Sequence, residues 1–212
     1  MRNKEIVIID YGIGNIFSIR QAVEYNGAKA TVTRDKSIIE NSSHIILPGV
    51  GAFGNAIRLI KDYDLDVSIR IAVEKGNYLL GICLGMQLLL TSSDEFSKNY
   101  GLDLIKGEVK KIDHFTEEEI KLPHIGWNSI YLNNDFAASN FRLNLKEKNV
   151  FYFIHNYMAT PFDKKNINYL ANYGKAEIPA IISKDNVFGV QFHPEKSGKN
   201  GLNLINNFIQ LK

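Results

Sequence analysis

The stretch Tyr78–Leu90, which reads YLLGICLGMQLLL, combines three kinds of local structure. Its apolar beginning is typical of a buried strand, and its end is typical of a helix. Between them, Cys83 lies on a turn flanked by Gly81 and Gly85, in the pattern G-x-C-x-G. Such a turn holds its central residue in a strained backbone conformation, and the glycines remove clashes with neighbouring turns. The stretch therefore predicts a strand, a nucleophile elbow that presents Cys83, and a helix.

The chemistry expected at this elbow is that of a reactive thiol. Cys83 would lie at the N-terminus of the following helix, where the helix dipole and free N–H groups favour a thiolate. The competing interpretation is a small buried hydrophobic residue, the usual role of a lone cysteine, but the two flanking glycines favour the nucleophile. Because Cys83 is the only cysteine, the sequence excludes an internal disulfide and a cysteine-rich zinc site.

A base for this thiol is found near the C-terminus. His193 follows the apolar strand predicted at Val187–Phe192, Pro194 ends that strand, and Glu195 can turn back toward the imidazole. The carboxyl ends of parallel strands gather at one edge of an α/β sheet. We therefore predict a triad of Cys83, His193 and Glu195.

Two glycine-rich turns could bind a ligand through their backbone N–H groups. Leu47–Gly54 (LPGVGAFG) follows a predicted strand and can aim N–H groups at a developing oxyanion, although a plain strand–helix turn is the alternative. No lysine, serine or threonine follows it at the spacing of a phosphate-binding loop. Asp10–Asn15 (DYGIGN) is an incomplete dinucleotide fingerprint. We therefore expect no cofactor.

The order of strand and helix patterns predicts the fold class. In the first half, strands alternate with helices: Glu5–Ile9, Asn15–Asn26 with Asn15 as its cap, Ala30–Thr33, His44–Leu47, a helix through Ala56 and Ile60, Val67–Lys75, and the strand before Cys83. The second half contains mainly strands: Glu108–Ile112, Val150–Tyr157, Tyr169–Tyr173, Ile178–Ser183 and Val187–Phe192, followed by a helix at Gly201–Leu211. This order predicts an α/β fold in one domain over residues 1–212, with a central, mostly parallel sheet flanked by helices and antiparallel strands added at its edge.

The bulk composition excludes several classes of function. The chain has 212 residues with a net charge of +2, so no electrostatic case exists for binding nucleic acid or a membrane surface. The apolar fraction of 45% and charged fraction of 23% are ordinary for a soluble globular protein. The N-terminal apolar run is too short for a signal peptide, and no apolar stretch reaches the ~20 residues that span a bilayer. We expect a cytoplasmic protein.

Together these motifs resemble the class I (triad) glutamine amidotransferases, and most closely the glutaminase subunits of imidazole glycerol phosphate synthase. The elbow and the His-x-Glu are shared by the whole class. The segments Pro48–Gly51, Gly126–Asn128 and Glu195–Ser197 resemble this subunit family in particular. The resemblance covers most of the chain, through Asp10–Asn15, Leu47–Gly54, Gly81–Gln87, Pro123–Asn128, Phe151–Tyr157 and Gln191–Ser197.

The resemblance implies a mechanism. Cys83 would attack the side-chain amide of glutamine, His193 would shuttle protons, and Glu195 would hold His193. Ammonia would leave, and water would resolve a γ-glutamyl thioester. The oxyanion hole would use the N–H of Leu84 and one from the segment Gly49, Val50 and Gly51, with Val50 the expected donor.

The resemblance also implies binding residues and a partner. Gln87 and Glu95 would bind the glutamine substrate. Asn15, Trp127, Asn128 and Lys196 would face the partner and the ammonia passage. The partner would be a (β/α)₈-barrel cyclase/synthase subunit of the HisF type, forming a heterodimer that uses the ammonia to make imidazole glycerol phosphate and AICAR in histidine biosynthesis.

Several alternatives stay open at this stage. A paralogous glutaminase could instead feed a sugar amidotransferase that makes amidino sugars for surface polysaccharides. The chain could be an inactive regulatory subunit on the same fold, or a cysteine peptidase on a similar sheet. Trp127 is as well explained by core packing, and His155 is better explained as a satisfied strand histidine than as a site residue.

Overall fold

A computed structural model describes residues 4–133 and 149–212. Its first half alternates strands and helices: β1 (Glu5–Ile9), α1 (Ile16–Tyr25), β2 (Lys29–Thr33), α2 (Lys36–Glu40), β3 (His44–Leu47), α3 (Phe53–Asp62), α4 (Leu65–Glu74), β4 (Tyr78–Ile82) and α5 (Leu84–Leu88). The second half is dominated by strands: β5 (Ser92–Ser93), β6 (Asn99–Tyr100), β7 (Gly107–Lys111), β8 (His124–Ser129), β9 (Tyr131–Leu132), β10 (Val150–His155), β11 (Tyr157–Pro161), β12 (Ile167–Tyr173), β13 (Ala176–Lys184) and β14 (Val187–Val190), followed by α6 (Gly198–Ile209).

The main sheet has the strand order β2-β1-β3-β4-β14-β13-β12-β9. The five strands from β2 to β14 run parallel, whereas β13, β12 and β9 continue the sheet antiparallel. The elbow strand β4 lies between β3 and β14, with Leu47 opposite Gly81 and Val190 opposite Ile82. The three loops that carry the predicted site therefore leave adjacent strands at the same edge of the sheet.

Alternating side chains of the central strands build a core on each face of the sheet. In β1, Ile6 and Ile8 join the cluster that contains residues of α1 and α6, whereas Val7 and Ile9 join the cluster that contains residues of α3 and α4. This two-residue alternation is the normal geometry of a strand covered on both faces. Each such fully buried aliphatic side chain contributes about 1.5–3 kcal/mol to the stability of the fold.

The predicted fold class is confirmed, with corrections in the second half. The strand predicted at Val150–Tyr157 is two strands that part at Asn156, since β10 pairs with β8 and β11 pairs with β7. These pairs belong to two small separate sheets, β10-β8 and β11-β7-β5-β6, so the added strands do not all extend the main sheet. Continuous β propensity along the segment hid this change of partner.

The helix α2 and the strands β5, β6, β8 and β9 were not predicted, and some element ends differ. Asp35 caps the short helix α2 by accepting a hydrogen bond from the N–H of Ile38 at 3.1 Å. The last strand, predicted at Val187–Phe192, ends at Val190. The last helix, predicted at Gly201–Leu211, begins at Gly198. Among the described residues, no helix is long and apolar enough to cross a membrane.

Candidate active site

The elbow has the strained geometry that its sequence predicts. Cys83 has φ 55° and ψ −110°, a positive φ that is rare for a residue with a side chain. Its N–H donates to the Val190 carbonyl at 2.8 Å, which fixes the turn against β14. A Cβ at Gly85 would lie 2.0 Å from the Leu47 carbonyl oxygen, and a Cβ at Gly81 would lie 2.6 Å from the carbonyl oxygen of Gly85. Both glycines are therefore required by close backbone approach.

His193 and Glu195 meet at this elbow. The His193 N–H donates to the carbonyl of Tyr152 at 2.9 Å, and a short 3₁₀ turn over Pro194–Lys196 brings Glu195 back toward the ring. The imidazole Nδ1 donates to Glu195 Oε1 at 2.9 Å, and both side chains are almost entirely buried. The three residues predicted as a triad thus lie in one place, with the imidazole between thiol and carboxylate.

The electrostatics of this group favour a charged imidazole. Burial alone would lower the pKa of His193, but hydrogen bonds to Cys83 and Glu195, together with their charges, raise that pKa to about 10. The imidazole is therefore an imidazolium at neutral pH, paired with a carboxylate on one side and the thiol group on the other.

Asn15 supports the carboxylate instead of its own helix. It occupies the N-cap position of α1 but makes no side-chain cap, so the predicted capping bond is wrong. Its Nδ2 donates to Glu195 Oε1 at 3.2 Å, beside the bond from His193. The other carboxylate oxygen, Glu195 Oε2, is buried and has no partner among the described residues.

The predicted oxyanion segment borders the thiol. Val50 and Gly51 line the same cavity as Cys83 and Leu84, and Val50 is 38% exposed. Leu84 is the first residue of α5, where a helix leaves its N–H groups without an acceptor in the preceding turn. Gly49 is buried instead, and a Cβ there would lie 2.6 Å from the backbone nitrogen of Gly85. The segment is thus pressed against the elbow helix.

Tyr11 anchors this segment, a role that the sequence did not reveal. Its hydroxyl donates to the Pro48 carbonyl at 2.8 Å, and its side chain is wholly buried. Burial, followed by the charge of Cys83, raises the pKa of Tyr11, so the hydroxyl keeps its proton and remains a donor. A tyrosine in a glycine-rich loop was the only available signal.

These groups surround one cavity of about 520 Å³. The predicted residues that line it are Val50, Gly51, Cys83, Leu84, Gln87, Glu95, His193 and Lys196. Glu195 lies behind His193, and Gly49, Asn15, Trp127 and Asn128 do not line the cavity. The described residues hold no cluster of histidine, cysteine, aspartate or glutamate arranged to bind a metal ion.

Gln87 is held by two hydrogen bonds from its side-chain nitrogen, which leave its side-chain oxygen for a ligand. Its Nε2 donates to the Tyr157 carbonyl at 2.9 Å and to Gln191 Oε1 at 3.1 Å. Both amide protons are therefore used within the protein. Its Oε1 receives no hydrogen bond from the described residues, so a substrate would meet Gln87 as a hydrogen-bond acceptor.

Glu95 lies at another edge of the cavity, at a helix terminus. Its Oε2 accepts from the N–H of Phe53, the first residue of α3, at 2.6 Å. A carboxylate at a helix N-terminus is favourably placed in the helix dipole. The neighbouring Phe96 is 91% exposed, lies at the cavity and has φ 57°. Glu95 thus offers a fixed negative charge to a ligand in the cavity.

Of the residues predicted to face a partner, Lys196 lines the cavity, whereas Trp127 and Asn128 are neighbours in β8. Trp127 is 60% exposed, so core packing does not explain its position. Its ring meets that of Tyr152 edge-on, with the ring centroids 6.0 Å apart. Asn128 donates from Nδ2 to the Asn172 carbonyl at 2.8 Å and to His124 Nε2 at 3.2 Å. Lys196 is exposed at the cavity mouth.

The buried histidines His124 and His155 are hydrogen-bonded to each other, and His124 also contacts Asn128. His155 Nδ1 donates to the Tyr157 carbonyl at 2.8 Å, so its Nε2 is the acceptor for His124 Nδ1 at 3.0 Å. Burial lowers the pKa of His124 to about 4 and that of His155 to about 3. Both rings are neutral at physiological pH. His155 is therefore a satisfied strand histidine, as predicted, and it also lines the cavity.

Comparison with known proteins agrees with this geometry. The family model "Glutamine amidotransferase class-I" matches residues 7–211. A protein of Caldanaerobacter subterraneus subsp. tengcongensis named imidazole glycerol phosphate synthase subunit HisH is 44% identical over 206 residues, covering 97% of this chain and 98% of its own. Subunit HisH 2 of Nitrobacter winogradskyi is 42% identical over 211 residues, with 97% of each chain covered.

Solved structures share the fold. The structure of PurLQS from Thermotoga maritima superposes with a TM-score of 0.71 at 22% identity, covering 98% of this chain and 97% of that one. The glutaminase domain of Trypanosoma brucei CTPS with bound acivicin superposes with a TM-score of 0.65 at 14% identity, covering 99% of this chain and 95% of that one. At such identities the likeness shows the fold alone.

The strained thiol, its histidine and the matched family model define the class of protein. The chain belongs to the class-I glutamine amidotransferase family. Within that family, its full-length relatives at above 40% identity place it with the HisH subunits.

Proposed function

We propose that residues 1–212 form one glutamine amidotransferase domain that acts as the glutaminase subunit of imidazole glycerol phosphate synthase. It hydrolyses L-glutamine to glutamate and ammonia and delivers the ammonia to a HisF-type (β/α)₈ barrel in histidine biosynthesis. The observation that carries the proposal is the position of His193, which is hydrogen-bonded to the carboxylate of Glu195 and lines the same cavity as Cys83. The names of the HisH relatives support the pathway.

The triad performs the first half of the reaction by attack and proton transfer. The sulfur of Cys83 forms a bond to the side-chain carbonyl carbon of glutamine, and the carbonyl oxygen becomes an oxyanion. The His193 imidazolium gives its proton to the amide nitrogen. The carbon–nitrogen bond then breaks, and ammonia leaves a γ-glutamyl thioester on the sulfur.

Hydrolysis of the thioester reverses these roles. Neutral His193 takes a proton from water as the oxygen attacks the thioester carbon. The carbon–sulfur bond breaks, glutamate leaves, and the thiolate and imidazolium are restored. Glu195 holds the ring in the tautomer that exposes Nε2 and stabilises the charge that it carries.

The surrounding groups bind the substrate and the oxyanion. The N–H groups of Leu84 and Val50 would stabilise the oxyanion, because both residues line the same cavity as Cys83. Gln87 Oε1 and the Glu95 carboxylate are acceptors that suit the ammonium group of a free amino acid. A cavity of about 520 Å³ accommodates a molecule of glutamine's size.

A barrel partner fits the surface beside the cavity. Exposed tryptophan is enriched at protein interfaces, where it often contributes much of the binding energy, and Trp127 is 60% exposed. Lys196, which is exposed at the cavity mouth, is a second candidate contact and carries a positive charge. We therefore assign Trp127, Asn128, Lys196 and the Glu195-bound Asn15 to the side on which the partner docks and ammonia leaves.

The test is a glutaminase assay with the HisF-type barrel present. The wild-type chain should release glutamate, and the barrel should form imidazole glycerol phosphate from its nucleotide substrate. Cys83→Ala and His193→Ala should abolish glutamate release, whereas His114→Ala, on the exposed surface, should leave it unchanged. No glutamate with the partner present would overturn the proposal. Glutamate release without the barrel product would point instead to the sugar-amidotransferase paralogue.

A further inference from the structure

Gln191 is a buried polar residue that the mechanism above does not use. It follows β14, two residues before His193, and its side chain has no exposed surface. Its backbone N–H donates to the Ala180 carbonyl at 2.9 Å, which fixes the main chain. Its side-chain Nε2 lies 3.8 Å from the Cys83 sulfur, within hydrogen-bonding distance for that atom.

The orientation of the Gln191 amide follows from one backbone carbonyl. The Tyr157 oxygen can only accept, so it fixes the amide of Gln87 with Nε2 toward it at 2.9 Å. The second proton on that nitrogen then donates to Gln191 Oε1 at 3.1 Å. Since Oε1 of Gln191 is thereby assigned, Nε2 must be the atom that faces the sulfur. The flipped amide of Gln191 would place two N–H donors against each other, so the hydrogen-bond network excludes it.

We propose that Gln191 is a further catalytic residue, whose side-chain N–H donates a hydrogen bond to the Cys83 sulfur and stabilises it as a thiolate. This inference rests on the glutaminase function proposed above. The sulfur carries negative charge before it attacks glutamine and again when water displaces it from the thioester. A donor that points at the sulfur therefore stabilises the thiolate both as the attacking nucleophile and as the leaving group.

The physical argument depends on burial and on charge. Hydrogen bonds to an ionised acceptor are about twice as strong as those between neutral groups. Cys83 is only 7% exposed, so little of its surface is solvated and donors supplied by the protein favour its ionisation. Gln191 supplies such a donor from the same segment after β14 that carries His193, whereas the Ile154 carbonyl, 4.0 Å from the sulfur, is an acceptor that only the thiol form can use.

Two substitutions test this role. Gln191→Met keeps the length of the side chain and removes the donor. Gln191→Glu keeps nearly the same volume and an acceptor for Gln87, but it places an oxygen opposite the sulfur. The exposed Gln210, substituted as Gln210→Met, is the matched control. Folding is followed by circular dichroism and by urea unfolding.

The first measurement is alkylation of Cys83 by iodoacetamide as a function of pH, on the chain alone. Because it needs no glutamine turnover, it tests Gln191 even if the proposed glutaminase function fails. We expect Gln191→Met to slow alkylation at neutral pH by about ten-fold and move its midpoint to higher pH. Gln191→Glu should show a larger effect in the same direction, and Gln210→Met should show none.

The second measurement is glutamate release with the barrel present. A catalytic role predicts that kcat falls by about ten- to hundred-fold in Gln191→Met, with a smaller change in KM for glutamine. If Gln191 only holds Gln87 in place, KM rises while the alkylation profile stays as in the wild type. That result, or an unchanged alkylation profile in the folded Gln191→Glu chain, overturns the proposal.

Discussion

The hydroxyl of Tyr11 donates a hydrogen bond to the carbonyl of Pro48 at 2.8 Å, joining the loops that follow β1 and β3. Pro48 immediately precedes the segment Gly49–Gly51, which carries the proposed oxyanion donor. Both loops leave the same edge of the sheet, and Tyr11 has no exposed surface. The start of the oxyanion segment is therefore held by a side chain from the loop after β1.

Tyr11→Phe should weaken both the fold and the catalytic activity. The substitution keeps the ring but leaves the buried Pro48 carbonyl without its donor, at a cost of about 1–3 kcal/mol in the free energy of unfolding. Because the oxyanion segment loses its anchor, kcat should fall by about ten-fold or more with the partner present. Urea unfolding and glutamate release measure the two effects.

Tyr78→Phe is the control for this prediction. The Tyr78 hydroxyl donates to the carbonyl of Lys212, at the opposite end of its strand from the elbow. Its loss should leave kcat unchanged. Equal activity of Tyr11→Phe and the wild type would show that the anchor does not matter for catalysis.

Glu195→Gln should shift the pH dependence of activity. The pKa of His193 is raised to about 10 by its bonds to Cys83 and Glu195, against the opposing effect of burial. Removing the carboxylate charge lowers that pKa, so the imidazolium is lost at a lower pH. The alkaline limb of kcat/KM should move toward neutrality, and kcat should fall by about 10²–10⁴-fold.

The pH profile of glutamate release with the barrel tests this prediction. Glu177→Gln is a suitable control, because Glu177 contacts the Tyr131 hydroxyl at the far edge of the sheet. An unmoved alkaline limb in Glu195→Gln would mean that the carboxylate does not set the charge state of His193.

Gly85→Ala should damage the elbow by direct steric conflict. The new Cβ would lie 2.0 Å from the carbonyl oxygen of Leu47, a backbone atom that cannot turn away. Forced overpacking of this kind costs about 1–3 kcal/mol or more. The control is Gly54→Ala in α3, where the Cβ meets only the movable side chain of Asn99 at 3.0 Å. Thermal unfolding should show a large loss for the first and little for the second.

Three buried histidines should make the fold sensitive to acid. Burial lowers the pKa of His44 and His124 to about 4 and that of His155 to about 3. An unfolded histidine titrates near 6.5. Between about pH 4 and pH 6.5 the unfolded chain therefore binds protons that the folded chain does not, and stability falls as the pH falls.

His44→Phe measures one third of this effect. His44 packs against Tyr78 and Phe208, where a phenyl ring fits the aromatic surroundings. Each such histidine contributes a slope of up to about 1.4 kcal/mol per pH unit near pH 5. The free energy of unfolding, measured in urea from about pH 4.5 to 5.5, should lose about 1 kcal/mol per pH unit of its slope in the variant. An unchanged slope would contradict the assignment of a neutral buried His44.

Trp127→Ala should weaken binding of the barrel. A central interface tryptophan contributes about 2 kcal/mol or more, which corresponds to about a 30-fold rise in Kd. Isothermal titration calorimetry with the barrel measures this Kd. Phe162→Ala is the control, because Phe162 is also exposed but follows the end of β11 remote from the cavity residue Tyr157. Equal losses for both variants would place the interface elsewhere.

Much of the first half of the fold was predictable because its signals are local. The strand His44–Leu47 has the predicted bounds, since its apolar run is followed directly by Pro48 and Gly49, which end a strand. The division of Val150–Tyr157 between two sheets was not predictable, because a strand's propensity does not depend on which partner it pairs with. The side-chain contact of Asn15 with Glu195 was also not predictable, because it joins residues that are far apart in sequence.

The sequence by itself determined the elbow around Cys83 and the candidate partners His193 and Glu195, because strained turns and strand ends leave short, local patterns. Only the tertiary structure decided that Tyr11 holds the oxyanion segment and that Gln191 points a donor at the sulfur. These contacts cross between strands that are adjacent in the sheet but distant in the chain. Their geometry depends on how the strands pair and on which atoms burial leaves available for hydrogen bonding.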